Sequence, residues 1–226
     1  MKRALIATFS LCCVSVATLL GSSVTIGSDN GANGFPFSGP FIGYTGTDYQ
    51  EAYASSDFTG PMEITGIDFF LGAAEKGTLY SGTYTLSLSV ISSDIGSLSS
   101  TDLSSNLGSD NTVFETVNLS GAAPNVLTFT GTPFLYDPSQ GNLLLDISVA
   151  GGSGGSGSFY QDNEGVGSGV ARYQNFGSGN GIGLGLVTEF DANSSQSTVP
   201  EPGTLSLLGC CGLVGLLVQR LRRRSS

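Results

Sequence analysis

The chain contains no His and no Trp among its 226 residues, and charged side chains amount to only 12%. Without His, the Ser-His-Asp and Cys-His arrangements of nucleophilic catalysis are excluded, as are zinc sites that use His. Carboxylates remain as candidate acids and bases, and glycoside hydrolysis requires two of them. Because spacing along a sequence does not show that two carboxylates face each other, the sequence predicts no catalytic activity.

Cysteine is missing from the middle of the chain. The four cysteines form two adjacent pairs, one at residues 12 and 13 and the other at residues 210 and 211. The central region therefore has neither a disulfide nor a thiolate nucleophile. We expect a reducing agent to leave its melting temperature unchanged, since no disulfide is there to be lost.

Basic residues are almost absent between the two termini. Only Lys76 and Arg172 lie between residues 4 and 219, whereas seventeen of the eighteen acidic residues lie between Asp29 and Asp191, a balance of −15. So acidic a surface repels the phosphates of nucleic acids and of anionic lipids. The sequence therefore predicts a self-repelling exported domain and no nucleic-acid partner.

The N-terminal segment is first positively charged and then apolar. Lys2 and Arg3 precede an apolar run at residues 4–20, and small residues follow that run. This order is typical of a secretory signal peptide, so residues 1–23 are predicted to form one. The alternatives are a buried first helix, which an amphipathic pattern would favour, and a lipid anchor at Cys12, which a small preceding residue would favour. The run shows no such pattern, and the residue before Cys12 is Leu.

Apolar and polar residues alternate along several short segments of the middle. The alternation is strictest at residues 83–90 and recurs at 143–149, and this period of two predicts strands with one buried face. The apolar positions at 64–71 change phase at Gly66, where we expect a β-bulge. Asp68 and Asp146 fall on the outward side of their strands, where solvated charge is expected. Further predicted strands cover residues 44–54, 113–119, 126–130, 158–161, 170–176 and 184–190.

Roughly nine strands without a helical period predict an all-β fold. The chain also holds 34 glycines, which weaken helix interiors. Polar alternate faces are typical of antiparallel sheets, whereas parallel strands buried on both sides are continuously apolar. We therefore predict a single antiparallel β-sandwich, jelly-roll-like, at residues 24–190, followed by a polar linker at residues 191–199.

The C-terminal tail, residues 200–226, has three ordered parts. Pro200, Glu201 and Pro202 favour extended backbone, and a 14-residue apolar run, predicted to be helical, follows at 205–218. That run is shorter than the ~20 residues of an ordinary membrane-spanning helix. A basic cluster, which we expect to stay on the cytoplasmic side, nearly ends the chain: Arg220, Arg222, Arg223 and Arg224.

This tail resembles the PEP-CTERM sorting signal of Gram-negative bacteria, with Pro200, Glu201 and Pro202 matching the motif itself. The resemblance implies export by the general secretion route and recognition by an exosortase, a membrane-embedded cysteine peptidase. It further implies processing and delivery to the cell surface or extracellular matrix, often beside extracellular polysaccharide. Residues 55–67 and 129–147 resemble central regions of other PEP-CTERM proteins, which brings no known activity. The alternative is a plain C-terminal membrane anchor.

One candidate cluster for a glycan or an ion occurs in the middle. Aromatic rings can stack on sugars while Asp, Asn and Arg orient the hydroxyl groups, and the best-equipped residues are Tyr160, Asp162, Asn163, Glu164, Arg172 and Tyr173. Calcium held by loop oxygens is an alternative around Asp110 and Asn111 or at residues 162–164, although no loop has the spacing of an EF-hand. No other cofactor or metal is predicted.

These observations predict an exported cell-surface or extracellular-matrix protein without catalytic activity, held in the membrane as a precursor. Its expected partners are an exosortase, the membrane and extracellular polysaccharide. A glycan-binding module carried to the surface by the same tail is the alternative, and a carboxylate-dependent glycoside hydrolase is a third hypothesis. The absence of His and Trp favours the first.

Overall fold

The computed structural model describes residues 22–38, 48–71, 77–156, 159–162, 169–176 and 180–193. These residues form twelve β-strands and two 3-10 turns, at Ser55–Asp57 and Leu103–Asn106, and contain no α-helix. The chain divides into two units, Met1–Ser194 and Ser195–Ser226, of which the second lies outside the described residues. The predicted all-β class is confirmed for the part of the chain that is described.

Every strand is antiparallel to the neighbours with which it pairs. The strands are β1 (Ser22–Ile26), β2 (Asp29–Asn33), β3 (Asp48–Tyr53), β4 (Met62–Phe70), β5 (Ser81–Ile91), β6 (Thr112–Leu119), β7 (Val126–Tyr136), β8 (Asn142–Ser153), β9 (Phe159–Asp162), β10 (Val170–Gln174), β11 (Gly181–Ile182) and β12 (Thr188–Asn193). They form three sheets, with the orders β1-β12-β4-β7, β11-β10-β3-β8-β5-β6 and β2-β9. The predicted strands at 83–90 and 143–149 are β5 and β8 of the six-stranded sheet.

The predicted bulge in β4 is confirmed. Ile64 pairs with Ala192 of β12 and Gly66 with the adjacent Asp191, so one residue of β4 is left over on that side. On the other side, the same two residues pair with Phe134 and Thr130 of β7, which leaves three residues of β7 opposite that one. Because the bulge resets the strand, Ile64 and Ile67 both face the interior and are fully buried. A side chain at position 66 would also crowd the carboxylate of Asp191, since an added Cβ would lie 2.8 Å from its Oδ2.

The two large sheets contribute to one apolar cluster, and we call the faces that do so the inner faces. Alternation supplies the inward side chains: Tyr84, Leu86 and Leu88 of β5 are fully buried, as are Ile67 and Phe69 of β4. Aromatic rings fill the space between strands, and Phe37 lies with its ring centroid 4.8 Å from that of Phe69. This cluster is the main core of the described part.

The outer face of the six-stranded sheet is partly covered by the cover segment, residues 92–111. A second apolar cluster lies beneath it, formed by Ala52, Ile91, Ile95, Leu144, Ala171 and Tyr173. Asp146 is half-buried in this region and accepts a hydrogen bond from Gln50. The expectation that Asp146 is a solvated charge is therefore wrong, because the alternation of β8 does not reveal that its second face is covered.

The limits of the folded part differ from the predicted ones by a few residues. β1 begins at Ser22, inside the predicted signal segment, and β12 continues to Asn193, inside the predicted linker. Residues 184–187 were expected to be strand, but they precede β12, and the Leu186 N–H donates to the carboxylate of Glu51. β1, β2 and β11 were not predicted, because short or Gly-rich segments show little alternation.

Among the described residues, no helix is both long and apolar enough to cross a membrane. The predicted C-terminal hydrophobic helix at 205–218 and most of the predicted signal segment lie outside those residues.

Candidate functional site

The predicted glycan or ion cluster is divided between two sheets. Tyr160 and Asp162 belong to β9, which pairs with β2, whereas Arg172 and Tyr173 belong to β10, which pairs with β3. Asn163 and Glu164 lie outside the described residues. Arg172 is only 7% exposed and Tyr173 only 4%. The glycan site stays a prediction. Arg172 and Tyr173 are buried and would offer a glycan little surface.

Arg172 and Tyr173 point to opposite faces of the six-stranded sheet. Tyr173 packs in the cluster under the cover segment, and its hydroxyl donates a hydrogen bond of 2.7 Å to the carbonyl oxygen of Ile95. Arg172 is directly opposite Glu51 in the neighbouring strand β3. Adjacent residues of a strand face opposite ways, so the two side chains serve separate clusters.

Glu51 is the centre of a polar cluster inside the main core, and it is fully buried. Its carboxylate accepts a hydrogen bond from the Tyr49 hydroxyl, one of 2.6 Å from the Tyr53 hydroxyl and one of 2.7 Å from the Leu186 N–H. Thr188 of β12 donates a fourth, at 3.3 Å. The Glu51 cluster, which consists of these residues and Arg172, thus joins β3 of one large sheet to β12 of the other.

Burial controls the protonation of the Glu51 cluster. It raises the pKa of Glu51, although the hydrogen bonds and the positive charge of Arg172 oppose the rise. Burial and the charge of Glu51 also hold the pKa of Tyr49 and of Tyr53 well above the usual value, so both phenols remain hydrogen-bond donors. Because Glu51, Tyr53 and Thr188 are all fully buried, no substrate can reach this carboxylate. The Glu51 cluster links the two large sheets through hydrogen bonds.

Sequence analysis missed the Glu51 cluster, although β3 carries a signal of it. Tyr49, Glu51 and Tyr53 alternate with a period of two, which places the carboxylate between two tyrosines on the buried face. A charged residue in that position must find partners, since an unpaired buried charge is very costly. The sequence names the two flanking phenols, but Leu186 and Thr188 are about 135 residues away and come close only in the fold.

A second polar network holds the cover segment to its sheet. The Gln50 side-chain amide donates to Asp146 Oδ1 at 2.8 Å and to the Leu103 carbonyl at 2.9 Å. Asn106 donates to Gln50 Oε1 at 2.9 Å and exchanges two further bonds with the backbone of Ser99. Burial raises the pKa of Asp146, the bond from Gln50 opposes the rise and the charge of Asp48 adds to it. Like those of the Glu51 cluster, the hydrogen bonds of Gln50 and Asn106 stabilise the fold.

The outer face of the four-stranded sheet carries four carboxylates, and we call it the acidic face: Glu63, Asp68, Glu189 and Asp191. Asp68 and Glu189 are directly opposite each other in β4 and β12. Burial, followed by the charges of Asp68 and Glu189, raises the pKa of Asp191. Within the described part of the chain, the buried Oδ1 of Asp68 accepts no hydrogen bond.

The acidic face does not favour glycoside hydrolysis. That reaction needs two carboxyl groups on either side of the scissile bond, whereas Asp68 and Glu189 stand side by side on one sheet. A separate cavity of about 80 Å³ is lined by Ser22, Val24, Thr59, Gly60, Pro61 and Met62. It is far below the ~300 Å³ of a typical ligand pocket. Neither place encloses a sugar.

At the predicted calcium position around Asp110 and Asn111, the aspartate bonds to the backbone of its own chain, as is common in turns. Asp110 Oδ1 accepts a hydrogen bond of 2.9 Å from the Val90 N–H, so this carboxylate secures the end of the cover segment to β5. Among the described residues, no three His, Cys, Asp or Glu side chains are grouped so that they could hold a metal ion. The other position, at 162–164, is described only at Asp162.

The predicted sorting motif and the predicted basic cluster lie outside the described residues, after the end of β12 in the sequence: Pro200, Glu201, Pro202, Arg220, Arg222, Arg223 and Arg224. In comparisons with known proteins, no family model, no curated protein and no solved structure matches the chain. The functional argument therefore rests on this chain alone.

Proposed function

We propose that the protein is exported to the cell surface or extracellular matrix and is sorted there through its C-terminal tail by an exosortase. The observation that carries the proposal is the tail itself, in which an extended Pro-Glu-Pro motif, a short apolar run and a basic cluster follow in order. Each part has a separate task in that process: cleavage, retention in the membrane and orientation across it.

The organisation of the chain supports this proposal. The last strand ends at Asn193 and the chain divides between residues 194 and 195, so the motif at 200–202 follows the folded part after a short tether. The first strand begins at Ser22, directly after the apolar segment that resembles a signal peptide. This order agrees with the proposed succession of export signal, folded domain and sorting tail.

We assign the central region a scaffold role without catalysis, as a single jelly-roll-like β-sandwich. Two antiparallel sheets that share a core support a sandwich. Among the described residues, Glu51 is a fully buried carboxylate that accepts several hydrogen bonds, and the other carboxylates discussed above lie on the outer faces of the sheets. Such an arrangement suits a stable module of a surface layer or matrix.

In the membrane-bound precursor, residues 205–218 form a transient hydrophobic anchor. The folded domain lies outside the cell and the arginines at 220–224 remain inside, because positive residues next to a membrane segment stay in the cytoplasm. The two prolines keep helix from extending out of the membrane, so the peptidase meets extended backbone.

A glycan-binding role is the second candidate. The observation that favours it is that Tyr160 and Asp162 belong to the same strand, β9, of the two-stranded sheet β2-β9. A glycan array on residues 22–193 tests it, with a Tyr160→Ala and Asp162→Ala double variant as the control. Binding that the double variant loses would establish the role, and an empty array would remove it.

The sorting proposal is tested in a host with and without an exosortase. The wild-type chain should be shortened and leave the membrane fraction only when the peptidase is present. Replacing Pro200, Glu201 and Pro202 by Ala should leave a full-length, membrane-bound chain. A matched variant with three Ala at 195–197 should behave as wild type. If the motif variant and the wild type have the same size and location with the peptidase present, the tail is a plain anchor.

A further inference from the structure

β7 is an edge of the four-stranded sheet. Among the described residues it pairs with β4 on one side, and no strand pairs with its other side. An edge strand directs every second N–H and C=O group away from its sheet, where another strand can pair with them. Native edges are usually protected by charged side chains, by proline or by a bulge. The protection that β7 carries therefore decides whether it can pair with another chain.

The two halves of β7 differ in this protection. Residues 131–136 contain Pro133, which lacks an N–H, and include the three residues that lie opposite a single residue of β4. At Gly131 a side chain would collide with the carbonyl oxygen of Phe114 in β6, so this half lies against the other large sheet. Residues Val126–Thr130 contain no proline and pair with β4 residue for residue. We call Val126–Thr130 the open half of β7.

The open half exposes one row of uncharged side chains. Val126, Thr128 and Thr130 are exposed, whereas Leu127 and Phe129 between them are buried in the main core. β-branched side chains such as the exposed three favour pairing between strands. In the part of the chain that the structure describes, the exposed large apolar side chains all belong to β6 or β7: Val113, Val126 and Leu135. Exposed apolar surface is thus concentrated on these two edge strands.

The charge of the domain favours a second copy of the chain as the partner of this edge. Residues 29–191 carry seventeen acidic and two basic side chains, so two copies repel each other over most of their surface. Residues 116–136, which include all of β7, contain no charged side chain. A basic partner would be attracted to the acidic face. A second acidic copy instead approaches most easily where like charges are absent, and the open half is such a place.

The open half is also complementary to itself. In an antiparallel pair centred on Thr128, Val126 of one copy lies opposite Thr130 of the other, and no like charges meet. Asp68 of β4 is directly opposite Thr128, so two β7 strands would separate the Asp68 side chains of the two copies. Three strand spacings place them about 14 Å apart. That distance exceeds the screening length of ~8 Å at physiological salt, so their repulsion is largely screened.

We propose that β7 is a homodimer interface, in which the open halves of two copies pair antiparallel about Thr128 and join their four-stranded sheets into one continuous sheet. The interface is isologous, because the same residues of both copies meet across a two-fold axis. This inference goes beyond the sorting proposal and is independent of it, since it rests on the pairing, exposure and charge of β7 alone.

The test is sedimentation equilibrium of the full chain in a density-matched nonionic detergent at physiological salt, where the wild type should be a dimer. Val126→Lys with Thr130→Lys places like charges opposite each other twice and should raise the dissociation constant at least about tenfold. The matched control is Val113→Lys with Thr116→Lys on β6, which adds the same charges to the neighbouring edge and should leave the dimer intact. A monomeric wild type, or equal weakening by both variants, would overturn the proposal.

A charge-swapped variant tests the register and controls for misfolding. Val126→Glu with Thr130→Lys changes the same two positions, but pairing about Thr128 then brings opposite charges together. Its dissociation constant should stay within about threefold of the wild-type value, since exposed opposite charges contribute little. If this variant dissociates as readily as the variant with two lysines, the register is wrong and the proposal with it.

Salt provides an independent readout on the unaltered chain. At 0.01 M salt the screening length is about 30 Å, so the two acidic faces repel each other across the paired β7 strands. The wild-type dimer should therefore dissociate more readily at 0.01 M than at 0.15 M salt. A dissociation constant that stays the same or decreases at low salt would contradict an interface between the two acidic faces.

Discussion

The outward carboxylates of the two large sheets have different surroundings. On the four-stranded sheet, Asp68, Glu189 and Asp191 of the acidic face are half-buried, and among the described residues the Oδ1 of Asp68 has no hydrogen-bond partner. On the six-stranded sheet, Asp146 lies below the cover segment and is bonded to Gln50. Both outer faces follow from the same alternation of apolar and polar residues, so the alternation determines which residues face outward and leaves open whether water or protein meets them.

The difference can be seen in two aspartates. Asp68 and Asp146 occupy equivalent outward positions of their strands, and the sequence predicts solvated charge for both. Burial raises the pKa of Asp146, which therefore resists ionisation more than an ordinary Asp. One signal in the sequence does distinguish them: Leu143, Leu144 and Leu145 are consecutive, and Leu144 places an apolar side chain on the outer face beside Asp146.

The largest effect is expected at a carboxylate that is enclosed on every side. Replacing Glu51 by Leu leaves Tyr49, Tyr53 and the Leu186 N–H without their acceptor and the charge of Arg172 without its buried counterpart. We expect a loss of about 3–5 kcal/mol in the free energy of unfolding, measured by urea denaturation. Glu189→Leu on the acidic face is the matched control, with an expected change below about 1 kcal/mol. Equal effects would contradict the assigned burial.

The cover segment should matter more than the open part of the same sheet. Asn106→Ala removes three hydrogen bonds beneath the cover segment and should cost about 2–3 kcal/mol. Asn118→Ala removes one exposed bond from the Thr83 hydroxyl and should cost no more than about 0.5 kcal/mol. Only the bond to Gln50 joins Asn106 to the sheet, and the two bonds to Ser99 lie within the cover segment. Urea denaturation of both variants makes the comparison, and a neutral Asn106 variant would contradict the contribution of these three bonds to stability.

The pH dependence of stability should run opposite to ordinary acid denaturation. The pKa values of Glu51 and Asp146 are raised, so the folded protein binds more protons than the unfolded chain between the ordinary carboxyl pKa of about 4 and the raised values. The free energy of unfolding should therefore increase as the pH falls from 7 towards about 5, by at most ~1.4 kcal/mol per pH unit and proton. Asp137, whose pKa is lowered by bonds from Ser139, contributes in the opposite direction.

The control for this prediction is Asp146→Asn, whose stability should vary less steeply with pH than that of the wild type. The melting temperature across that pH range is the measurement. A wild-type melting temperature that falls steadily on acidification would show that Glu51 and Asp146 do not resist ionisation.

The smallest effect is expected on the acidic face. Burial, followed by the charges of Asp68 and Glu189, raises the pKa of Asp191, and Asp191→Asn removes the charge of this side chain. Stability should increase by about 0.3–0.5 kcal/mol at low salt, because like charges on neighbouring strands destabilise a sheet. The gain should vanish at 1 M salt, where the screening length is only about 3 Å. A loss of stability would indicate that Asp191 has an essential contact with β4.

Much of the fold could be predicted because it depends on local patterns. The alternation at 83–90 and 143–149 predicted β5 and β8, and the change of phase at Gly66 predicted the bulge in β4. The order of strands could not be predicted, because β1 pairs with β12 across about 170 residues. The cover segment escaped prediction for the same reason, since Gln50 meets Asn106 only after folding.

The candidate sites divide in the same way. The resemblance of the tail to a sorting signal depends on the order of its parts along the chain. The cluster proposed for glycan or ion binding depended on proximity in sequence, and Arg172 and Tyr173 show its weakness: they are neighbours in β10 that face opposite sides of a sheet.

The most direct test of the account is the intact mass of the protein recovered from outside cells that contain an exosortase. The account predicts a chain that begins near Ser22 and ends within a few residues of Pro200, so that β1 and β12 are complete while the apolar run and the arginines are gone. A mass that includes residues 205–226 would contradict it, because the tail would then be a retained anchor and not a processed sorting signal.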